Sequence, residues 1–140
     1  MDLSDFRQAR EYAAWLLLAA AVIVVGMGLW FLLGLPGSGG GTLADHGFAA
    51  APDLIGVTVT LLPVAAVLLA ALGGPAVGSV RQITLYAVVV QVVALILGVI
   101  AWLITFGGGN GWFTVGTISN LAVAVAGLLL TMAVLRSRAR

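Results

Sequence analysis

Four long apolar blocks constrain the fold of this chain more than any other feature. They run from Tyr12 to Leu35, Asp53 to Leu72, Gln82 to Phe106 and Trp112 to Leu135, and no charged residue lies deep inside any of them. Each block is close to the roughly 20 helical residues that cross a hydrocarbon core about 30 Å thick. Because hydrocarbon cannot satisfy backbone polar groups, continuous apolar runs favour helices over strands. The sequence predicts an all-α integral membrane protein with four transmembrane helices, forming a single domain over residues 1–140.

The composition excludes several classes of protein. Hydrophobic residues make up 62% of the chain and charged residues 8%, whereas soluble domains carry roughly a quarter charged residues. A net charge of +1 provides no dense basic face for nucleic acid. The absence of cysteine rules out disulfides, thiolate catalysis and sulfur-ligated metals. We expect a lipid bilayer as the main partner, with no nucleic acid, metal or cofactor.

The arginines indicate the orientation of the helices. All of them flank helix ends on one predicted side of the membrane: Arg7, Arg10, Arg81, Arg136, Arg138 and Arg140. The loops predicted for the other side, residues 36–52 and 107–111, contain no Arg or Lys. By the positive-inside rule both termini are expected in the cytoplasm, with the arginines setting topology and contacting lipid headgroups.

Two segments of similar sequence suggest an internal repeat. Residues 7–13 read RQAREYA and residues 81–87 read RQITLYA; later in the same helices, GMGLWFL corresponds to GVIAWLI. Tandem duplication of a two-helix hairpin, with units 7–73 and 81–135, predicts a pseudo-two-fold axis along the membrane normal. Chance likeness is the alternative, because membrane helices use few residue types.

Polar residues within the blocks are the candidates for an interior site or an outward vestibule. They are Thr58, Thr60, Gln91, Ser119 and Asn120, with Thr117 nearby. Thr60 and Asn120 are expected at one depth, and Gln91 about 10 Å away along the membrane normal. The alternative is structural: the amides join helices, and the hydroxyls bond back to carbonyls one turn earlier.

Small residues predict where the third and fourth spans pack. In the third span they recur every three or four residues, at Ala87, Gln91, Ala94, Gly98, Ala101 and Thr105. The fourth span offers Gly116, Asn120, Ala124, Gly127 and Thr131. Because membrane helices associate through small residues and polar contacts, we expect these faces to meet each other or the first hairpin.

Three residues are candidates for an outer-face contact: Asp45, His46 and Asp53. Asp53 follows Pro52 at the predicted start of the second span, where it is expected to cap the helix or, alternatively, to bind a substrate or cation. His46 lies in a predicted loop with no second His and no Cys to complete a metal shell. Pro63 is expected to kink the second span.

The function expected from these features is non-catalytic. The sequence offers no carboxylate pair and no convincing nucleophile with its base, so enzymatic activity is not expected. An accessory or scaffold subunit of a larger membrane complex or homo-oligomer is favoured, partly because transport paths usually carry ionisable groups inside the membrane. A small oligomeric transporter or channel is the alternative. Six Arg without Lys, together with abundant Ala, Gly and Val, suggest a GC-rich genome and a bacterial plasma membrane.

Overall fold

The computed structural model of the chain describes residues 3–37, 41–72, 78–106 and 111–137, with backbone alone for residue 3 and residues 111–114. These residues form helices, with no strand among them. The helices are α1 (Leu3–Leu32), α2 (Leu43–Ile55), α3 (Val57–Ala71), α4 (Val80–Phe106) and α5 (Gly111–Ser137). Arg138, Arg140 and the side chain of Trp112 lie outside this description.

Four helical stretches are long and apolar enough to cross a membrane, which confirms the predicted number. They are Ser4–Leu32, Leu43–Ala71, Val80–Phe106 and Val115–Ser137. The second of these, called here the second span, consists of α2 and α3 in succession. The predicted all-helical membrane class is therefore supported by length and composition.

The second span begins ten residues earlier than the sequence predicted, at Leu43 instead of Asp53. Thr42 caps α2 in a capping box: the Thr42 backbone N–H donates to Asp45 Oδ2 at 2.7 Å, and the Asp45 N–H donates to Thr42 Oγ1 at 3.4 Å. Two predictions were therefore wrong, the loop over residues 36–52 and the helix cap at Asp53. A Thr followed three residues later by an acidic residue was the overlooked signal.

The second span is interrupted at Gly56, whereas the kink expected at Pro63 stays a prediction. Gly56 has an extended conformation, with φ −69° and ψ 163°, and it separates α2 from α3. A Cβ at this position would overlap the carbonyl oxygen of Pro52. Pro63 is fully buried within a continuous α3. The interruption therefore lies where glycine allows a close backbone approach four residues after a proline.

The second span occupies the centre of the bundle. Half of its most apolar stretch is buried (50%), compared with 6% for the stretch in α5. It packs against α1, α4 and α5, while α1 and α5 do not pack against each other in the described part of the chain. The proposed repeat would make the second span and α5 counterparts, but they differ in burial and continuity. The repeat and its two-fold axis stay predictions.

The predicted packing face of α4 is confirmed. Its small and polar residues are buried: Ala87, Gln91, Ala94, Gly98, Ala101 and Thr105. Gly98 lies against the side chain of Ile55, and Gly47 lies against Thr105 and the carbonyl of Ala101. The face therefore packs mainly against α2, which belongs to the first hairpin, as small residues permit close helix approach in lipid.

One end of the bundle, called here the arginine end, carries Arg7, Arg10, Arg81 and Arg136. Arg10 is buried and donates hydrogen bonds to the carbonyls of Leu69 and Leu72 at the end of α3. Glu11 accepts a hydrogen bond from Ser79. The start of α1 is thereby attached to the end of α3 and to Ser79, just before α4.

Candidate functional site at the helix break

The break at Gly56 lies near the middle of the second span, Leu43–Ala71. Non-helical backbone at membrane depth is tolerated where it is buried in protein or lines a water-filled cavity. No side chain caps the N-terminus of α3 at Gly56, and the first N–H groups of a helix lack partners within that helix. The break therefore places backbone polar groups near mid-span, beside the half-buried Gly56 and the exposed Pro52 and Val57.

A cavity of about 240 Å³ lies on the α5 side of the break. It is lined by Ala51, Pro52, Ile55, Gly56, Gly116, Thr117 and Asn120. Asn120 and Thr117 therefore face the broken segment. Thr58 and Ser119 were predicted as site candidates together with Asn120. They are exposed on the bundle surface and do not line this cavity.

A second, much smaller cavity lies on the α4 side of the break. Its volume is about 10 Å³, which is about the space that one water molecule needs. It is lined by Leu54, Val59, Thr60, Gln91, Ala94, Leu95 and Ala124. Gln91 is only 6% exposed, and neither its Nε2 nor its Oε1 has a hydrogen-bond partner. A buried primary amide without partners is costly, so Gln91 lowers the stability of the protein unless it serves the site.

Thr60 shares this cavity with Gln91, so the expected separation of the two residues along the membrane normal was wrong. A span that began at Asp53 would place Thr60 on the other side of its midpoint. Because the helix begins at Leu43, the midpoint of the span lies before Thr60 in the sequence. The Thr60 hydroxyl donates to the Gly56 carbonyl at 3.4 Å, and its methyl group lies against Gly127. The expected back-bonding of hydroxyls is confirmed for Thr60. Thr105 and Thr131 do the same, at 2.7 and 2.9 Å.

Asp53 lies on the α1 side of the break, in the last turn of α2. Its Cβ is close to Gly28 of α1, where an added methyl carbon would lie 3.2 Å away. Asp53 precedes Gly56 by three residues, or about 4.5 Å along a helix axis. The earlier helix start thus places a carboxyl group well inside the second span, where the sequence had predicted no ionisable residue. Residues of this kind within membranes mark functional sites by default.

Asp45 and His46 lie at the N-terminal end of α2, apart from the break. The Thr42 hydroxyl donates a hydrogen bond to the Asp45 carboxylate. The His46 ring packs against Gly34, whose φ of +61° lies in the left-handed region. His46 and Asp53 are seven residues apart and so share one face of α2. Across the described ranges, no three His, Cys, Asp or Glu residues come together as a possible metal site.

Sequence reasoning missed the most important position of the site, Gly56. The signal that could have found it is the Pro52 to Gly56 spacing inside an otherwise apolar stretch, since both residues weaken helices. The sequence also did not predict the burial of Arg10, which depends on carbonyls 59 and 62 residues away in sequence.

Comparison with known proteins gives no relative for this arrangement. No protein-family model, curated protein or solved structure matches the chain.

Proposed function

We propose that this protein moves small monovalent cations, protons among them, across a membrane, as an oligomeric transporter or channel. The observation that carries the proposal is the position of Asp53: a carboxyl group inside the second span, one turn from a helix break at mid-span. Broken helices with unpaired backbone groups are the usual ion-coordinating elements of membrane transporters.

The chemistry around the break favours a cation over an anion. Oxygen-bearing groups lie on more than one side of the break: Asp53 on the α1 side, and Thr117 and Asn120 on the α5 side. The end of α2 adds backbone carbonyls. Gln91 adds an amide oxygen with no partner. The described arginines lie toward the arginine end of the bundle, away from the break. A cation that approaches the break from any of these sides therefore meets oxygen atoms, the ligands that hard cations take in proteins.

Asp53 is the group that can change charge within this path. A carboxyl group holds a proton in its neutral form and can exchange it for a metal cation when ionised. Insertion of a charged side chain at the bilayer centre costs roughly 2.5–3.5 kcal/mol of free energy on insertion scales. A cation or proton bound to the carboxylate neutralises its charge and offsets this cost. We therefore assign Asp53 the role of cation carrier, with Gln91 and Asn120 as polar groups on either side of the break.

Flux into liposomes tests this function. Purified protein is reconstituted into vesicles with an internal pH dye, and proton entry is followed under an imposed potential; sodium and rubidium uptake are measured with radioactive tracers. We expect flux of at least one of these ions and its loss in Asp53→Asn. Asp45→Asn is the matched control, because Asp45 lies at the outer end of α2 and should leave flux unchanged. Absence of flux for all three ions, or full flux in Asp53→Asn, contradicts the proposal.

An accessory or scaffold subunit is the second candidate function, and the exposure of α5 favours it. Only 6% of the most apolar stretch of α5 is buried within the chain, and its exposed face carries the small residues Ser119, Ala122 and Ala126. Membrane helices use such residues to approach partners. Purification from native membranes in mild detergent, followed by mass measurement, tests this candidate; a stable monomer without partners counts against it and against the oligomeric transporter.

We further propose that both termini face the cytoplasm of a bacterium, and that the chain arose by duplication of a hairpin. The arginine end supports the orientation by the positive-inside rule. A fluorescent protein fused after Arg140 is expected to fold and fluoresce, and alkaline phosphatase at the same position is expected to be inactive. The reverse pattern overturns the orientation.

A further inference from the structure

A groove on the lipid-facing surface between α1 and α4 stands apart from the helix break. At the arginine end it is lined by Trp15, Gln82, Leu85, Tyr86 and Val89, with a cavity volume of about 350 Å³. A second cavity of about 140 Å³ continues from Val89 and is lined by Val22, Val25, Val90 and Val93. Val89 lines both cavities, so together they form one groove with a polar end and an apolar end.

The length of this groove matches one leaflet of a bilayer. Along α4 it extends from Gln82 to Val93, eleven residues or about 16 Å at 1.5 Å each. Half of a hydrocarbon core about 30 Å thick is about 15 Å. The polar end therefore lies at headgroup depth and the valine-lined end near the middle of the membrane.

The side chains at the polar end suit an anionic headgroup. Trp15 and Tyr86 pack edge to face, with ring centroids 5.6 Å apart, and Trp and Tyr favour the membrane interface. Arg81, exposed and adjacent to Gln82, begins the same helix. Arg7 lies near the turn before it, because a Cβ at Gly78 would be 4.0 Å from Arg7 Nη2. Two guanidinium groups are thus available to pair with a phosphate.

We propose that this groove binds one anionic phospholipid of the leaflet at the arginine end. The phosphate pairs with Arg81 and Arg7, the glycerol region lies against Gln82 and Tyr86, and one acyl chain follows the valines toward the membrane centre. The inference is independent of cation transport, since none of the groove residues lines either cavity at the break.

Native mass spectrometry of the full chain tests the proposal. Delipidated protein is mixed with equal amounts of phosphatidylglycerol and phosphatidylcholine bearing identical acyl chains. We expect one copy of phosphatidylglycerol to be retained preferentially. Arg81→Gln should lower its retention about fivefold, the loss expected for one arginine near anionic lipid. Arg136→Gln, at the same end but on α5, is the matched control and should retain the lipid. Equal retention of both lipids, or an Arg81→Gln variant equal to the control, overturns the proposal.

Two further arms locate the lipid in the groove. Val89→Trp is expected to exclude the acyl chain and abolish retention; Val89 is 57% exposed, so the larger side chain does not disturb the core. Val123→Trp, on the exposed surface of α5, serves as its control. If Val89→Trp retains as much phosphatidylglycerol as this control, the groove is not the binding site of the lipid. Excess inorganic phosphate should not displace the lipid, and complete displacement would show a simple ion site instead.

Discussion

The guanidinium group of Arg10 donates two hydrogen bonds to the carbonyl oxygen of Leu69, from Nε at 3.1 Å and from Nη2 at 2.8 Å. The carbonyl of Leu72 accepts another bond from Nη2. The last carbonyls of a helix have no partner within it, so Arg10 completes the end of α3 from a different helix. A residue expected to set topology and contact lipid headgroups thereby links the two spans of the first hairpin.

Replacement of Arg10 by Gln is therefore expected to destabilise the protein. A hydrogen bond to a charged group contributes about 1.5–3 kcal/mol, and the shorter amide cannot reach both carbonyls. Denaturant titration in mixed micelles, followed by circular dichroism, measures the free energy of unfolding. Arg7→Gln is the control, because Arg7 is exposed on the same helix; equal stability of the two variants contradicts the capping role of Arg10.

Substitution of Gly98 by Ala is expected to destabilise the contact between α4 and the end of α2. The added Cβ would overlap the side chain of Ile55, which is 1% exposed. Overpacking of this kind costs about 1–3 kcal/mol. At Gly26 nothing lies within 4 Å of an added Cβ, so Gly26→Ala should retain wild-type stability. If both variants unfold at the same temperature, α2 and α4 do not approach as closely as described.

Gln91→Leu is expected to raise the free energy of unfolding while abolishing cation flux. Leucine removes two buried polar atoms that have no partners, a change worth about 1–3 kcal/mol. A stabilising substitution that abolishes function is the pattern expected where a site retains a costly group for its activity. Thermal unfolding and liposome flux are measured on the same preparation.

Two results would contradict this interpretation of Gln91. A lower free energy of unfolding in Gln91→Leu would show that the Gln91 amide joins helices, which is the structural alternative to a role in transport. Unchanged flux would exclude Gln91 from the path. Val93→Leu, at an exposed position of α4, provides the control for a leucine in the same helix.

Thr42→Ala tests where the second span begins. Loss of the capping box removes the bonds between Thr42 and Asp45, and such caps contribute about 1 kcal/mol. We expect faster hydrogen exchange at the backbone amides of residues 43–46, measured by mass spectrometry. Thr58→Ala is the control, as Thr58 is exposed and lies outside the cap. Rapid exchange at these amides in the wild type would show that α2 starts nearer to Asp53.

Much of the helical framework could be predicted because it depends on local, additive properties. The apolar blocks gave the four spans, and the three- and four-residue spacing of small residues on α4 identified its buried face. Gln91 and Asn120 were recognised as interior polar groups, and both line cavities beside the break. Hydropathy and helical periodicity are sufficient for such predictions, because the bilayer imposes them on each span separately.

The site itself could not be predicted, because it depends on where one helix stops relative to its neighbours. Gly56 lies close to the Pro52 carbonyl at the break. Asp53 lies well inside the second span because α2 starts at Leu43.

The sequence alone determined that this chain forms four apolar helices. Its arginines lie before the first span, between the second and third spans, and at the end of the fourth. The tertiary structure decided which span is central, which carboxyl group lies within it, and which arginine is buried. The physical reason is that transfer of each residue into lipid is nearly independent of the others, whereas a helix end, a cavity or a buried charge depends on partners distant in sequence.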